Sequence, residues 1–377
     1  MKIAIVVPWV PRIMGISLAC ALSRALSELG EAVEFIVHSL NINVENELRE
    51  ILTEKVKLTI LKRVSNGKIS PFVYFEKQYF SRMTQKIVEF LASSKVRYDI
   101  VMLISNEGKG IGKLLNKKFK NNLGSKPITI LLTQELIDYT FTMDKVGLPD
   151  YIRRLLSLWK PLFRRVEMNR MRGFDLIYSN SNWTSKNLRH LYGIKSRLPL
   201  ALYDDENFKM ENIRAKVDQI VVPTASLDKH GSELLMRLHS DGIPLVTYGP
   251  KNVEGLKNLG FLPMEKMRKL ISISKATFFY FDYEALGLIP FESLSLGTPV
   301  ITIPKQGPYG ELRNNKFVYF FSDYDSLLKT CRDLIAANQD ATYREACSNS
   351  INAFRSEKVA NQFLEDVSNY LKGEHHK

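Results

Sequence analysis

The segment Glu284-Ala-Leu-Gly-Leu-Ile-Pro-Phe-Glu292-Ser-Leu-Ser-Leu-Gly297-Thr-Pro299-Val-Ile constrains this 377-residue chain more than any other. Pro290 suits the first helical position, where its missing N–H is no loss, and Gly297 suits the left-handed residue just past a helix end. The spacing predicts a short helix between them, and Val300-Ile-Thr-Ile303 reads as a buried strand. Glu284 then falls in the loop before the helix and Glu292 in its first turn. The free backbone N–H groups from Gly287, through Leu288 and Ile289, to Phe291 open between the two carboxylates. Such a helix end attracts an anion such as a pyrophosphate, through unpaired donors and the positive end of the dipole. A carboxylate on either side accepts hydroxyl protons from sugars flanking the phosphates. That is the outline of a nucleotide-sugar.

Around this segment the chain reads as an α/β protein. An opening strand, Lys2–Val7, leads through the loop Pro8–Gly15 into a helix with Leu18, Leu22, Ala25, Leu26 and Leu29 on one face, ended by Gly30. Further strands are predicted at Val33–Val37, Ile100–Ile104, Ile128–Leu132 and Leu176–Ser179. A second set begins at Gln219–Val222 and continues at Leu245–Tyr248, Thr277–Phe281 and Val300–Ile303, with a helix around Ser232–Leu238. Buried strands alternating with helices imply doubly wound parallel sheets. Two such sets imply two similar α/β domains joined near Leu200–Asn212, with ligands outside the carboxyl ends of the strands, in the cleft between the domains.

Composition excludes other classes. A 45% hydrophobic and 25% charged chain is ordinary for a globular protein. No apolar run approaches the roughly 20 residues of a membrane span, and Cys20, Cys331 and Cys347 have no metal-ligand spacing. We expect a cytoplasmic protein. The net charge of +13 calls for a phosphate-rich ligand or a polyanionic surface. Its excess lies in the first half, in Lys109, Lys113, Lys117, Lys118 and Lys120 and in Arg153, Arg154, Lys160, Arg164, Arg165, Arg170 and Arg172. Pro149–Arg172 interleaves the second cluster with Leu and Trp, which suits either a helix on an anionic inner-membrane surface or a packing helix with solvated arginines. Ser70–Met83, rich in Phe and Tyr, extends such a surface or lines an acceptor groove. Glu107–Lys113 lacks the spacing of a phosphate loop, and no nucleic-acid motif is present.

These residues resemble the GT-B glycosyltransferases of family four, a large retaining group with two facing Rossmann-like domains. The two glutamates, Gly287 between them and Gly297-Thr-Pro299 after them resemble that family's signature. Gly310-Glu311 resembles its later glutamate, and Asn258-Leu-Gly260-Phe261-Leu-Pro263 the stretch that holds the nucleotide base through backbone groups. Phe174–Thr184 looks like the last N-domain strand and following helix, and Asp204–Phe208 like the linker. The resemblance implies an N-terminal acceptor-binding domain over 1–203, a donor-binding domain over 204–355 and a helix over 356–377 crossing back. It implies that Glu284 contacts the transferred sugar, Glu292 holds the ribose, Gly287–Ile289 bind the diphosphate, and Lys229 in Asp228-Lys-His-Gly231 stabilises the departing diphosphate. Gly15 matches the N-domain glycine loop. Thr224 stands where the family has an arginine, so another basic residue supplies that charge or donor affinity falls. Glu135 in Thr133-Gln134-Glu135 is the nearest match to an absent N-domain histidine.

The expected activity is retaining transfer of a hexose-type sugar from a nucleoside-diphosphate sugar to a hydroxyl of a glycan or lipid-linked acceptor, with no metal or other cofactor and no nucleic-acid partner. The rival expectation is a non-catalytic nucleotide-sugar or polyanion-binding protein on the same fold.

Overall fold

The computed structural model describes residues 1–10, 16–64, 77–104, 110–119, 126–134, 136, 158, 160–210, 213 and 215–373, with backbone alone for 77–81 and 163. The chain forms two compact units, Met1–Leu202 with Ser356–Lys377, and Tyr203–Arg355.

The first unit is built on β1 (Lys2–Val10), β2 (Ala32–Asn41), β3 (Lys57–Val64), β4 (Ile100–Ile104), β5 (Ile128–Thr133) and β6 (Leu176–Ser179). All neighbours are parallel, in the order β3-β2-β1-β4-β5-β6. The central strands are apolar because helices cover both faces of such a sheet. β1 runs three residues beyond Val7, through Pro8. Its pairing with β4 stops at Val6 while its pairing with β2 continues to Val10, so proline sits where one edge is already open. β3 leaves no apolar run in the sequence, because this edge strand keeps Lys57, Lys62 and Arg63 toward solvent. It is tied to β2 through Glu34, whose carboxylate accepts hydrogen bonds from Lys57 (3.0 Å), Thr59 (2.6 Å) and Tyr98 (2.7 Å).

The last helix, Ser356–Leu371, belongs to this first unit and packs on the helix Ser17–Glu28. Phe363 meets the Tyr178 ring edge-on at 5.4 Å. Asp366 accepts hydrogen bonds from Tyr178 Oη (2.5 Å) and from Arg197 Nε (2.9 Å), the latter part of a forked ion pair.

The second unit holds β7 (Val217–Pro223), β8 (Leu245–Tyr248), β9 (Ser274–Phe279), β10 (Val300–Thr302) and β11 (Val318–Phe320), parallel, in the order β11-β10-β9-β7-β8. Ile220, Val222, Leu235, Phe278 and Ile301 lie in its core. The strand order reverses between β7 and β9. The connections leaving these two strands therefore diverge, one to each face, and open a crevice at their carboxyl ends.

Candidate functional site

The helix Leu288–Ser295 starts at this reversal point. Its N-cap is Gly287, with φ of +71°, and the helix begins two residues before the position expected from Pro290. Proline tolerates the third position because the first four N–H groups of a helix lack internal partners in any case. Glu292 accordingly opens the second turn instead of lying in the first. The helix is short and apolar on all sides, so it survives only by burial. Phe291 packs between Tyr203 and Phe354 at 6.4 and 5.0 Å. Ser293 bonds Thr277 Oγ1 (2.7 Å) and donates to the Thr298 carbonyl (2.9 Å), while Ser295 donates to the Phe208 carbonyl (2.5 Å). A helix gripped along its length presents a fixed N-terminus.

Glu284 lies in the loop after β9, and three contacts set its position. Its Oε1 accepts a hydrogen bond from Ser226 Oγ at 2.5 Å, in the loop after β7. Its own N–H donates to Gln306 Oε1 at 2.6 Å, and its carbonyl accepts from the Gly307 N–H at 3.2 Å. Gln306 also donates from Nε2 to the Asp282 carbonyl at 3.2 Å. Gln306 adopts φ of +55°, a left-handed conformation that a non-glycine residue takes only when its surroundings impose it. Beside it, a Cβ on Gly307 would lie 2.0 Å from the Ala285 carbonyl oxygen, so only glycine lets the two loops meet. Gln306-Gly307 is a template for the Glu284 loop. The sequence did not show it, since neither the positive φ nor the close approach has a local signal.

The loop after β7 leads into the helix Lys229–Ser240, whose N-cap Asp228 accepts from the Gly231 N–H at 2.7 Å. Lys229 is the first residue of that helix, its side chain 93% exposed and only 3.9 Å from Glu233, so its charge faces water. Thr224 is fully buried, and its hydroxyl accepts from the Lys251 N–H at 3.1 Å, holding the β7 and β8 loops together. Lys251, in the loop after β8, reaches the Leu227 carbonyl with its ammonium, one residue before Asp228. Sequence reasoning missed this second cation, because 24 residues separate it from its partner. Asn258 fastens the neighbouring loop by donating from Nδ2 to the Gly249 carbonyl (3.1 Å), and Gly249 N–H donates to the Gly260 carbonyl (2.8 Å). Gly260 and Phe261 thus lie beside the β8 loop, with Phe261 63% exposed.

Glu292 faces inward. It is 8% exposed, and its carboxylate makes no hydrogen bond among the described residues. Burial pushes its carboxyl up to about 8, and the charge of Asp204 adds to that. Glu292 in turn raises the buried Tyr248 phenol at the end of β8, after burial itself. Among the described residues Tyr248 Oη has no hydrogen-bond partner. A buried carboxylate without donors is costly unless something else supplies them.

The structure thus brings Glu284, the Gly287–Ile289 backbone, Glu292, the start of the Lys229 helix and Gly260-Phe261 to the carboxyl ends of β7, β8 and β9. Gly15 and Glu135 lie outside the described residues. Half-buried Glu311 lies on the helix Gln306–Leu312 that follows the template. A depression of about 300 Å3 opens at the other, amino-terminal end of β7 and β8, beside His239 and Pro244.

Two parallel Rossmann-like units with this strand order define the fold of the GT-B glycosyltransferases, and solved structures agree over the full length. Sucrose-phosphate synthase from Thermosynechococcus elongatus superposes with a TM-score of 0.69 at 16% identity, covering 100% of both chains. The Anabaena protein HepE in complex with UDP and glucose gives 0.65 at 14% identity, over 98% of this chain and 100% of that one. A glycosyltransferase from Rickettsia africae gives 0.64 at 15% identity, over 98% of each. Residues 251–353, within the second unit and carrying both glutamates, match the family of glycosyl transferases group 1. No curated protein matches the sequence.

Proposed function

We propose that this protein transfers a hexose-type sugar, with retention, from a nucleoside-diphosphate sugar to a hydroxyl of a glycan or lipid-linked acceptor. One observation carries the proposal. Glu292 is a buried carboxylate without partners, held beside a helix N-terminus at the strand-order reversal. Ribose hydroxyls are donors of the kind it lacks, and the diphosphate then falls on the N–H groups of Gly287, Leu288 and Ile289. HepE, whose structure contains UDP and glucose, is consistent with such a donor.

In this proposal Glu284, fixed by Ser226 and the Gln306-Gly307 template, accepts a hydrogen bond from a hydroxyl of the transferred sugar. Lys229 and Lys251 sit at the start of the helix after β7, where cations stabilise the departing diphosphate. Lys251 then supplies the charge that Thr224, buried and occupied, does not. The exposed Phe261 ring is placed to cover the base, and the backbone around Gly260 to hydrogen-bond it. Retention follows from a front-side reaction, in which the leaving phosphate takes the acceptor proton as the acceptor oxygen bonds the anomeric carbon and the old C–O bond breaks. The protein's share is positioning and electrostatic preorganisation.

The test is thermal stabilisation by UDP-, GDP- and ADP-sugars on wild type and Glu284→Ala, followed by transfer assays with the donor that binds. Stabilisation of both proteins with turnover lost only in Glu284→Ala supports the enzyme. Donor binding without turnover in wild type, over a broad acceptor panel, favours the non-catalytic binding protein. No shift with any donor, beside a shift with heparin, favours the polyanion binder.

A further inference from the structure

We propose that the outward faces of two adjoining helices in the first unit, Ile111–Phe119 and Lys160–Met171, form a docking surface for an anionic lipid membrane. The second helix shows the pattern most plainly. Leu162 and Val166 are 51% and 42% exposed, and Leu158 just before them 75%, in one i, i+4, i+8 row. At 100° per residue, Arg165 and Arg172 lie roughly 60–80° round the helix from Leu162 on one side, and Arg170 roughly 80° on the other. All three arginines are exposed, and none makes an ion pair among the described residues. The opposite face carries Met171 and Glu167, both buried, with Glu167 accepting from Tyr192 Oη at 3.0 Å.

The neighbouring helix continues the surface. Asn116 donates to the Gly173 carbonyl at 2.9 Å, and Gly112 approaches that carbonyl so closely that a Cβ would lie 2.5 Å from it. Leu114 is 38% exposed, with Lys113, Lys117 and Lys118 exposed around it. This helix has no carboxylate, and the other has only the buried Glu167. The face is therefore cationic without local neutralisation, which selects an anionic partner. The leucine row selects among anions. A nucleic acid or a soluble polyanion needs the arginines alone, whereas a bilayer also takes up an apolar row flanked by basic side chains that reach its headgroups. The inference deepens the proposed function by placing the acceptor at a membrane, and it rests on that function only for this meaning.

The test is co-sedimentation of the full chain at physiological salt with vesicles of phosphatidylcholine, alone or mixed with phosphatidylglycerol. Two variants accompany wild type, Arg165→Glu/Arg170→Glu/Arg172→Glu and Leu158→Ser/Leu162→Ser/Val166→Ser. Wild type is expected to bind the mixed vesicles and not the neutral ones, and each variant to bind about tenfold less or weaker still. Absent binding, or binding indifferent to both variants, overturns the proposal. So does binding that needs the arginines, ignores the leucines and is competed fully by heparin. Donor-induced thermal stabilisation, measured on the same proteins without vesicles, should be unchanged in both variants. Its absence in wild type would count against the proposed function and leave the membrane surface standing.

Discussion

Two buried glutamates, Glu34 in the first unit and Glu292 in the second, are treated in opposite ways. Glu34 in the first unit is 5% exposed and Glu292 in the second is 8% exposed. Burial alone raises a carboxyl in either place. At Glu34 hydrogen bonds from Thr59, Tyr98 and Lys57 outweigh the burial, and the group falls below its usual range. At Glu292 nothing compensates, the Asp204 charge makes matters worse, and the group rises to about 8. A carboxylate surrounded by its own donors is part of the scaffold. One left without donors at the end of a sheet is, in the proposed function, the group that the ribose hydroxyls of the donor would satisfy.

The largest expected effect tests the scaffold side. Glu34→Ala leaves Tyr98 Oη and Thr59 Oγ1 without their acceptor and should cost on the order of 2–3 kcal/mol in urea unfolding. A neutral result would remove the contrast. Glu292→Gln tests the other side, with an opposite sign. A carboxyl raised from 4.5 to about 8 gives the folded state a proton that the unfolded state releases, so wild type loses stability as the pH rises between these values. The glutamine variant lacks this loss and should gain on wild type steadily from pH 5 to pH 8.5. It should also bind the donor roughly 10–100-fold more weakly, the worth of a hydrogen bond to a charged group. Donor binding at pH 7 should release a proton in wild type and none in the variant, measured by calorimetry in buffers of different ionisation enthalpy. The smallest effect sharpens the comparison by moving the site without touching either glutamate. Gln306→Gly relieves a left-handed conformation and loses two hydrogen bonds, so stability should change by less than about 1 kcal/mol. Turnover should fall several-fold while donor affinity, carried by other residues, stays within twofold, roughly the scale of such additive changes.

The core of both sheets was legible because buried parallel strands are apolar runs. β4, β6 and β8 appear where Ile100–Ile104, Leu176–Ser179 and Leu245–Tyr248 predict them. The edges were not. β3 is amphipathic and β11 is three residues long, so neither makes a run. The helix Leu288–Ser295 was legible from Gly287, Pro290 and Gly297, within two residues. Its surroundings were hidden because they depend on apposition. Lys251 meets Leu227 and Gln306 meets Glu284 only after strands far apart in sequence become neighbours. The burial of Thr224, Glu292 and Tyr248 also arises from packing, to which residue spacing gives no access.

The return of the helix Ser356–Leu371 to the first unit has a consequence for how the chain is made. The second unit is an insertion, complete in sequence before the first is. On the ribosome, residues 203–355 have all their strands before the first unit receives the partner of Tyr178 and Arg197. During that interval the helix Ser17–Glu28 keeps an apolar flank open to water, as folding intermediates of larger chains commonly do. A nascent chain halted short of Ser356 would therefore present a finished second unit attached to an unfinished first one, and residues 356–371 decide whether the older part of the protein closes.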